Sequence, residues 1–214
     1  MFGNGLMFEY IRNPAEIYAR SFEIIRSETD LSSIPEDGQN IAVRIIHACG
    51  MPDIVSDLVI TEDFAAAAHA ALLNKCSILV DVEMVRHGII PRQLPEGVEI
   101  ICTLNDPQAR EIGISQSITR TAAATQLWKE NLGGAIVVVG NAPTALFTLL
   151  EMIDAGAAKP ACIVGMPVGF VGAAESKAEL IANNRGIPYA TIKGRKGGSA
   201  MASSVINALT SDTQ

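Results

Sequence analysis

The sequence contains few aromatic residues and no excess of basic ones. Aromatic side chains make up 5% of the 214 residues, and the formal net charge is −7. Proteins that bind nucleic acids usually present a basic stripe or a platform of stacked aromatic rings. We therefore expect no nucleic-acid partner. A small anion could still bind where cations and backbone N–H groups converge locally.

Long hydrophobic runs and metal-binding cysteine motifs are also missing. No apolar run reaches the ~18 residues needed to cross a bilayer. Glu9, Arg12 and Glu16 interrupt the region where a signal peptide would be hydrophobic. Four cysteines are scattered without CxxC or Cys/His spacing, namely Cys49, Cys76, Cys102 and Cys162. These absences predict a cytoplasmic protein with no membrane partner, with reduced core cysteines and no structural metal.

Apolar and small residues, by contrast, are abundant. Hydrophobic residues make up 49% of the chain, which suits a parallel sheet that is buried on both faces. Five short apolar segments have the composition of strands: 77–82, 98–103, 135–139, 161–164 and 189–193. Helical segments precede or separate them, at about 14–26, 37–49, 62–75, 105–112, 116–131, 143–155, 173–184 and 199–209. This alternation predicts a three-layer α/β/α fold with a mainly parallel sheet of about five strands.

No linker, repeat or low-complexity segment divides the chain. We therefore expect residues 1–214 to form one domain. Residues 1–13 would be an N-terminal arm, and residues 211–214 a disordered tail.

The helix predicted from Asp37 to Cys49 contains a candidate catalytic histidine. Its apolar residues recur at helical spacing, at Ile41, Ile45, Ala48 and Cys49. Arg44 and His47 are three residues apart, so they project together from a neighbouring face. Gly50 can end the helix in the left-handed conformation.

Histidine can donate or accept a proton near neutral pH, and the adjacent arginine would favour an anionic substrate. From the spacing alone, a partly buried residue that hydrogen-bonds a carbonyl is the commoner role for such a histidine. His69 lies among alanines without polar neighbours, and we interpret it as structural or solvent-facing.

Three of the predicted strands end in glycine-rich loops that lead into helices. These loops are 140–144 (GNAPT), 165–177 (GMPVGFVGAAESK) and 194–199 (GRKGGS). Helix N-termini offer free N–H groups and a partial positive charge, so three of them side by side would suit a ligand with several carboxylates or phosphates. The Walker pattern is absent, and glycines 165, 169 and 172 do not have dinucleotide-binding spacing. The residues alone thus indicate an anion-binding α/β domain.

Several strings of the sequence closely resemble the precorrin-8X methylmutase family of corrin biosynthesis. They follow one another in order along nearly the whole chain: 10–12 (YIR), 17–26 (IYARSFEIIR), 44–50 (RIIHACG), 140–147 (GNAPTALF), 165–177 (GMPVGFVGAAESK) and 194–201 (GRKGGSAM). The string at 165–177 is the most specific of them.

The resemblance implies an isomerase that moves a methyl group of the macrocycle from C-11 to C-12. The product would be hydrogenobyrinic acid or, with cobalt, cobyrinic acid, and the enzyme would be a homodimer without a cofactor. His47 matches the catalytic histidine of the family, which is thought to protonate the ring system. The substrate-binding residues would be Ser21, Arg44, Arg120, Asn141, Thr144, Gly197, Gly198 and Ser199. His87 falls in another family segment and is given no role.

Two other functions remain open. A non-catalytic tetrapyrrole-binding protein would keep the anion-binding loops without needing His47. A nucleotide-dependent α/β enzyme would also have glycine loops at its strand ends. Neither the residues nor the resemblance indicates whether the substrate carries cobalt.

Overall fold

One sheet of six strands forms the centre of residues 8–211, the part of the chain that a computed structural model describes. Its strands are β1 (Leu58–Ile60), β2 (Ile78–Val80), β3 (Ile100–Ile101), β4 (Ile136–Val139), β5 (Cys162–Gly165) and β6 (Tyr189–Ile192). Their order is β1-β6-β5-β4-β2-β3. All neighbouring strands are parallel except β1 and β6, which are antiparallel.

The helices accompany the strands in the alternation that the sequence predicts. They are α1 (Pro14–Glu28), α2 (Gln39–Cys49), α3 (Phe64–Leu73), α4 (Glu83–Gly88), α5 (Pro107–Gln116), α6 (Arg120–Gln126), α7 (Pro143–Asp154), α8 (Ala173–Ala182) and α9 (Ser199–Ser211). No helix among residues 8–211 combines the length and apolar composition needed to cross a bilayer.

The three-layer arrangement is confirmed by the two cores on either side of the sheet. In β4, Ile136 and Val138 pack in the core that includes α2, α3 and α9. Val137 and Val139 point to the opposite core, which α7 and α8 help to form. Alternate residues of one strand thus bury against different helices, because successive side chains of a strand face opposite sides.

All five predicted strands are present, and the structure corrects three other details. Strand β1 was not predicted, because three apolar residues beside a short 3₁₀ turn carry too little periodicity. Helix α4 was missed because it has only six residues. The helix predicted at 116–131 is only Arg120–Gln126, because Ser117 is left-handed and Thr119 caps the following helix by accepting from the N–H of Ala122.

Helix α9 is buried almost all round, from Ser199 and then from Met201 to Thr210. It packs against α2, α3 and α4 and also contacts β4 and β5. Its polar residues are satisfied within the protein. Asn207 accepts from the N–H of Ile90 and donates to the carbonyl of Gly88, both at 2.9 Å. This helix therefore joins the α2 side of the molecule to the sheet.

His69 is structural, in agreement with the sequence. Its Nε2 lies 3.2 Å from the carbonyl oxygen of Leu209, which connects α3 to the end of α9. Ser211, where the sequence predicts the disordered tail to begin, is still helical. Residues 1–7 of the predicted arm and residues 212–214 of the predicted tail lie outside the described residues.

Gly140, which follows β4, lies where three elements approach one another closely. A Cβ atom at this position would be 2.6 Å from Val85 of α4 and 2.9 Å from Ala202 and from the Cα of Ser199 in α9. Such distances leave no room for a methyl group. A glycine here brings the end of β4 against the start of α9.

We predict that Gly140→Ala lowers the free energy of unfolding by about 1–3 kcal/mol, because the added methyl group overpacks this junction. Gly133→Ala is the matched control, since a Cβ there would be no closer than 3.4 Å to its nearest neighbour, Ala158. Urea unfolding of both variants checks this expectation. Equal stabilities of the two variants would contradict it.

Candidate active site

His47 lies in the last turn of α2, and Gly50 ends that helix. Gly50 is left-handed (φ 68°), and its N–H donates to the carbonyl of Ile46 at 2.7 Å. The buried residues of α2 are Ile41, Ala42, Val43, Ile45 and Ile46. The predicted apolar face was therefore partly wrong, because Ala48 is exposed and Cys49 only half-buried. Packing against α9 buries a different side of α2 and leaves His47 facing outward.

One face of α1 surrounds the imidazole of His47. The hydroxyl oxygen of Ser21 lies 2.8 Å from Nδ1, a distance that makes a hydrogen bond. The rings of Tyr18 and Phe22 each lie 5.4 Å from the imidazole, centroid to centroid. These three residues recur at i, i+3 and i+4, so one helical face supplies both the hydrogen bond and the aromatic walls. Ser21 thus fixes the ring orientation of His47.

The second ring nitrogen of His47, Nε2, makes no hydrogen bond within residues 8–211. If Ser21 donates to Nδ1, the neutral imidazole carries its proton on Nε2, whereas the reverse tautomer leaves Nε2 as an acceptor. In the imidazolium form, Nε2 is a donor that points away from its serine partner. Nε2 is therefore free of hydrogen bonds to the described residues and could exchange a proton with a ligand.

Arg44 supplies a positive charge beside His47. Its guanidinium carbon lies 5.8 Å from the ring centroid of Tyr18 and 5.7 Å from that of Phe22. It forms no salt bridge with a carboxylate among residues 8–211, so its charge is not neutralised there. Partial burial lowers the pKa of His47, and the charge of Arg44 lowers it further. The imidazole therefore gives up its proton more readily than an ordinary histidine.

The loop after β4 differs from the sequence-based expectation of free backbone N–H groups. The carboxylate of Asp81, at the end of β2, accepts hydrogen bonds from the N–H groups of Gly140, Asn141 and Ala142, at 3.0, 2.9 and 2.8 Å. A ligand anion cannot use those three groups while Asp81 occupies them. The side chain of Asn141 remains exposed beside them.

Three threonine hydroxyls join the start of α6 to the start of α7. Thr144 lies 2.7 Å from Thr119 and 3.0 Å from Thr121, oxygen to oxygen. Arg120 lies between those two threonines in the chain, and its side chain is exposed. It donates to the amide oxygen of Asn105 at 2.7 Å. Arg120 and Thr144 therefore lie near each other, at the starts of α6 and α7.

The loop at 194–199 packs against the loop that follows β5. The N–H of Gly198 donates to the carbonyl of Met166 at 2.9 Å, so it too is not free. A Cβ at Gly197 would lie 2.4 Å from that same oxygen, which explains why glycine occupies this position. Ser199 begins α9 and is nearly buried.

The buried side chain of Lys177 holds the loop at 194–199 by a hydrogen bond. Its side chain is wholly buried, and its ammonium group donates to the carbonyl of Lys196 at 2.5 Å. Burial lowers the pKa of Lys177 to about 8, and Asp57 partly opposes that shift. The ammonium of Lys196, in turn, pairs with Asp53 at 2.8 Å. The loop is thereby linked to α8 and to the turn that follows α2.

The predicted site residues form two groups in the structure. Ser21, Arg44 and His47 come together between α1 and α2. Asn141, Thr144 and Arg120 lie together with Gly197, Gly198 and Ser199 at the carboxyl edge of the sheet, where Gly140 touches α9. Among residues 8–211 no hydrogen bond or ion pair joins the two groups, which are connected through the packing of α2 on α9.

Sequence reasoning missed several residues that shape these groups. Tyr18 and Phe22 could have been found, since they share a helical face with Ser21. Asp81 was detectable only as an acidic residue at the end of a buried strand. The threonine contacts and the partner of Lys177 join positions far apart in the chain, and no local pattern reports them. No cluster of three or more potential metal ligands occurs among the described residues.

Comparison with known proteins assigns the family. The family model described as precorrin-8X methylmutase matches residues 16–212. The chain belongs to the precorrin-8X methylmutase family. It is 50% identical over 208 residues to the precorrin-8X methylmutase of Pseudomonas aeruginosa, covering 97% of this chain and 100% of that protein.

Two more distant members of the precorrin-8X methylmutase family extend the comparison. A cobalt-precorrin-8 methylmutase of Methanothermobacter thermautotrophicus is 36% identical over 196 residues, which are 91% of each chain. The crystal structure of the methylmutase from Thermus thermophilus superimposes with a TM-score of 0.83 at 32% identity, covering 92% of this chain and 95% of that one. The family resemblance found in the sequence is thus confirmed.

We predict that Arg44→Gln raises the pKa of His47 toward, but not above, its ordinary value of about 6.5. The variant removes the positive charge but not the burial, and burial is the larger cause of the lowered pKa. NMR titration of the imidazole signals measures this, with His47→Asn used to assign the His47 signal. Arg20→Gln is the control, because Arg20 is exposed and pairs with Glu23. An unchanged His47 pKa in Arg44→Gln would disprove the electrostatic effect.

Proposed function

We propose that this protein is an isomerase that moves the C-11 methyl group of precorrin-8X to C-12 and forms hydrogenobyrinic acid. The observation that carries the proposal is the family match over residues 16–212. The identity of 50% to a protein named precorrin-8X methylmutase supports it, while the protein named for cobalt-precorrin-8 is only 36% identical. These identities favour the substrate without cobalt.

His47 is the proton donor in this proposal. A 1,5-sigmatropic shift breaks the bond between the methyl carbon and C-11 and forms the bond to C-12. Substrate and product are isomers, so no oxidant or reductant is consumed. The imidazolium of His47 protonates the ring system from Nε2 and assists migration, and the proton is later returned. The lowered pKa makes the imidazolium a stronger acid, while a smaller fraction of His47 is protonated at neutral pH. Ser21 holds the ring in place through Nδ1.

The arginines recognise the acidic rim of the substrate. Precorrin-8X carries acetate and propionate groups, which form charge-assisted hydrogen bonds with guanidinium groups. Arg44 and Arg120 both lack a carboxylate partner among residues 8–211, so their charges are available to a ligand. Asn141, Thr144 and Ser199 would add neutral hydrogen-bonding groups. Gly198 allows close approach of the macrocycle, whereas the space beside Gly197 is filled by the carbonyl of Met166.

The active site would be completed near the boundary between two subunits of a homodimer. Apolar side chains on α1 and in the residues just before it are exposed on a single chain and would form the contact patch: Phe8, Tyr10, Ile11, Ile17, Tyr18 and Ile24. Exposed apolar patches of this kind are typical of subunit contacts. Tyr18 belongs to this patch and also lines the His47 imidazole. A second subunit that covers α1 would therefore also shield the proton-transfer site from water.

The decisive test of catalysis is the His47→Asn variant. Asparagine keeps some hydrogen bonding to Ser21 but cannot supply a proton at neutral pH. The rate of rearrangement, followed by the spectral change from precorrin-8X to hydrogenobyrinic acid, should fall by about two to four orders of magnitude. Binding of the coloured product should persist, because the buried face of α2 is unchanged.

The control for that experiment is His87→Asn. His87 is exposed, and its Nδ1 lies 2.8 Å from the carbonyl oxygen of Glu83 in the same helix. We expect this variant to turn over at close to the normal rate. If His47→Asn stayed within a few-fold of the unmodified enzyme, His47 would be structural. Product binding without turnover by the unmodified protein would favour a tetrapyrrole carrier instead, and stabilisation by ATP or NAD would favour a nucleotide-dependent enzyme.

Light scattering at micromolar concentration should give about twice the chain mass of 22.6 kDa. Ile17→Glu should shift the protein toward the monomer, because it buries a charge in the proposed contact on α1. Leu73→Glu is the control, since Leu73 is exposed at the end of α3 and lies outside the patch. A monomeric unmodified protein would rule out the homodimer.

A further inference from the structure

Asp81 is a buried carboxylate that no cation in the described part of the chain neutralises. It is 2% exposed, and among residues 8–211 it forms no salt bridge. Burial raises the pKa of Asp81, whereas its hydrogen bonds from Gly140, Ala142 and Asn141 lower it. Burying a carboxylate without a cationic partner is costly. A neutral apolar residue of similar size would avoid that cost but would leave the N–H groups of Gly140, Asn141 and Ala142 without their acceptor. The reason for an acid at this position therefore lies in the turn that it binds.

The hydrogen bonds of Asp81 explain its presence better. One oxygen accepts from Gly140, and the other accepts from both Asn141 and Ala142. These groups precede α7, whose first residue is Pro143. A carboxylate is therefore bound at the N-terminus of α7 by three converging N–H groups, in the manner of a ligand anion. Here the bound anion is the side chain of Asp81 and not a separate ligand.

The turn held by Asp81 carries the groups assigned to substrate recognition. Asn141 is one of its three N–H donors and has an exposed side chain. Thr144 follows two residues after the turn and contacts Thr119 and Thr121. Gly140 lies against the Cα of Ser199 at the start of α9. The geometry of this turn therefore sets where Asn141 and Thr144 stand relative to Ser199.

We propose that Asp81 is a positioning residue that fills the anion-binding turn at 140–142, aims Asn141 and Thr144 at the substrate, and keeps substrate carboxylates out of the turn. The inference rests on the proposed function, since it assigns a role in corrin binding. The substrate is then recognised at this loop by neutral side chains and not by backbone N–H groups.

The first test is Asp81→Asn, which has the same shape. One amide oxygen can still accept from Asn141 and Ala142, but the NH₂ group then faces the N–H of Gly140. We expect the dissociation constant for hydrogenobyrinic acid to rise about tenfold or more, because the displaced turn moves Asn141 and Thr144 away from their contacts with the ligand. The turnover number of the saturated enzyme should change much less, because His47 is untouched. An unchanged dissociation constant would overturn the proposal.

The second test deletes the side chain and returns it as a small molecule. Acetate has the heavy atoms that Asp81→Gly removes, and acetamide is its neutral isostere. Acetate at millimolar concentration should restore product binding to Asp81→Gly, and acetamide should restore little. Gly140→Ala is the matched control, because it strains the same turn while Asp81 is still in place. Equal effects of acetate on both variants, or none on Asp81→Gly, would overturn the proposal.

A third readout separates this inference from the proposed function. The backbone amide NMR signals of Gly140, Asn141 and Ala142 should move in Asp81→Gly and return toward their original positions with acetate, without any corrin present. If the unmodified protein binds no hydrogenobyrinic acid, the proposed function fails while these signals still report on the turn. If Asp81→Gly does not fold, the same two measurements on Asp81→Asn decide. A dissociation constant and amide NMR signals equal to those of the unmodified protein would refute the role of Asp81.

Discussion

The burial of α9 is the constraint on which the rest of the structure depends. This helix packs against α2 and also touches the sheet at β4 and β5. Its burial orients α2, so that His47 faces α1 and not the core. Its first residues lie against Gly140, which brings the loops after β4 and β6 together. One apolar helix therefore connects the surroundings of His47 to the carboxyl edge of the sheet.

Charged groups in this protein divide into two kinds with different uses. Asp81 and Lys177 are buried and bind backbone groups of the loops, so they set loop geometry. Arg120 is exposed and Arg44 is half-buried, and neither has a carboxylate partner among residues 8–211. Surface cations that are not neutralised suit a ligand rimmed with carboxylates. The proposed rearrangement needs little further chemistry, because an intramolecular shift requires only binding, orientation and a proton.

Much of the fold follows from local patterns. The buried strands β2, β4, β5 and β6 are continuous apolar segments, and each lies between helical segments, as parallel sheets require. Strand β1 could not be predicted, since its three residues become a strand only by pairing with β6. The apolar face of α2 was assigned partly to Ala48 and Cys49, because helical spacing does not reveal which side a neighbouring helix will cover.

For the candidate active site, the sequence by itself determined the residue types and their order: a histidine beside an arginine, glycine loops after strands, and strings typical of one family. Only the tertiary structure decided which groups meet. It placed Ser21 against His47. It also brought Asp81 to the turn after β4, where its carboxylate binds backbone N–H groups that the sequence suggests are available to a ligand. These contacts join residues 26 to 61 positions apart, and such pairs arise from packing, which no local spacing encodes.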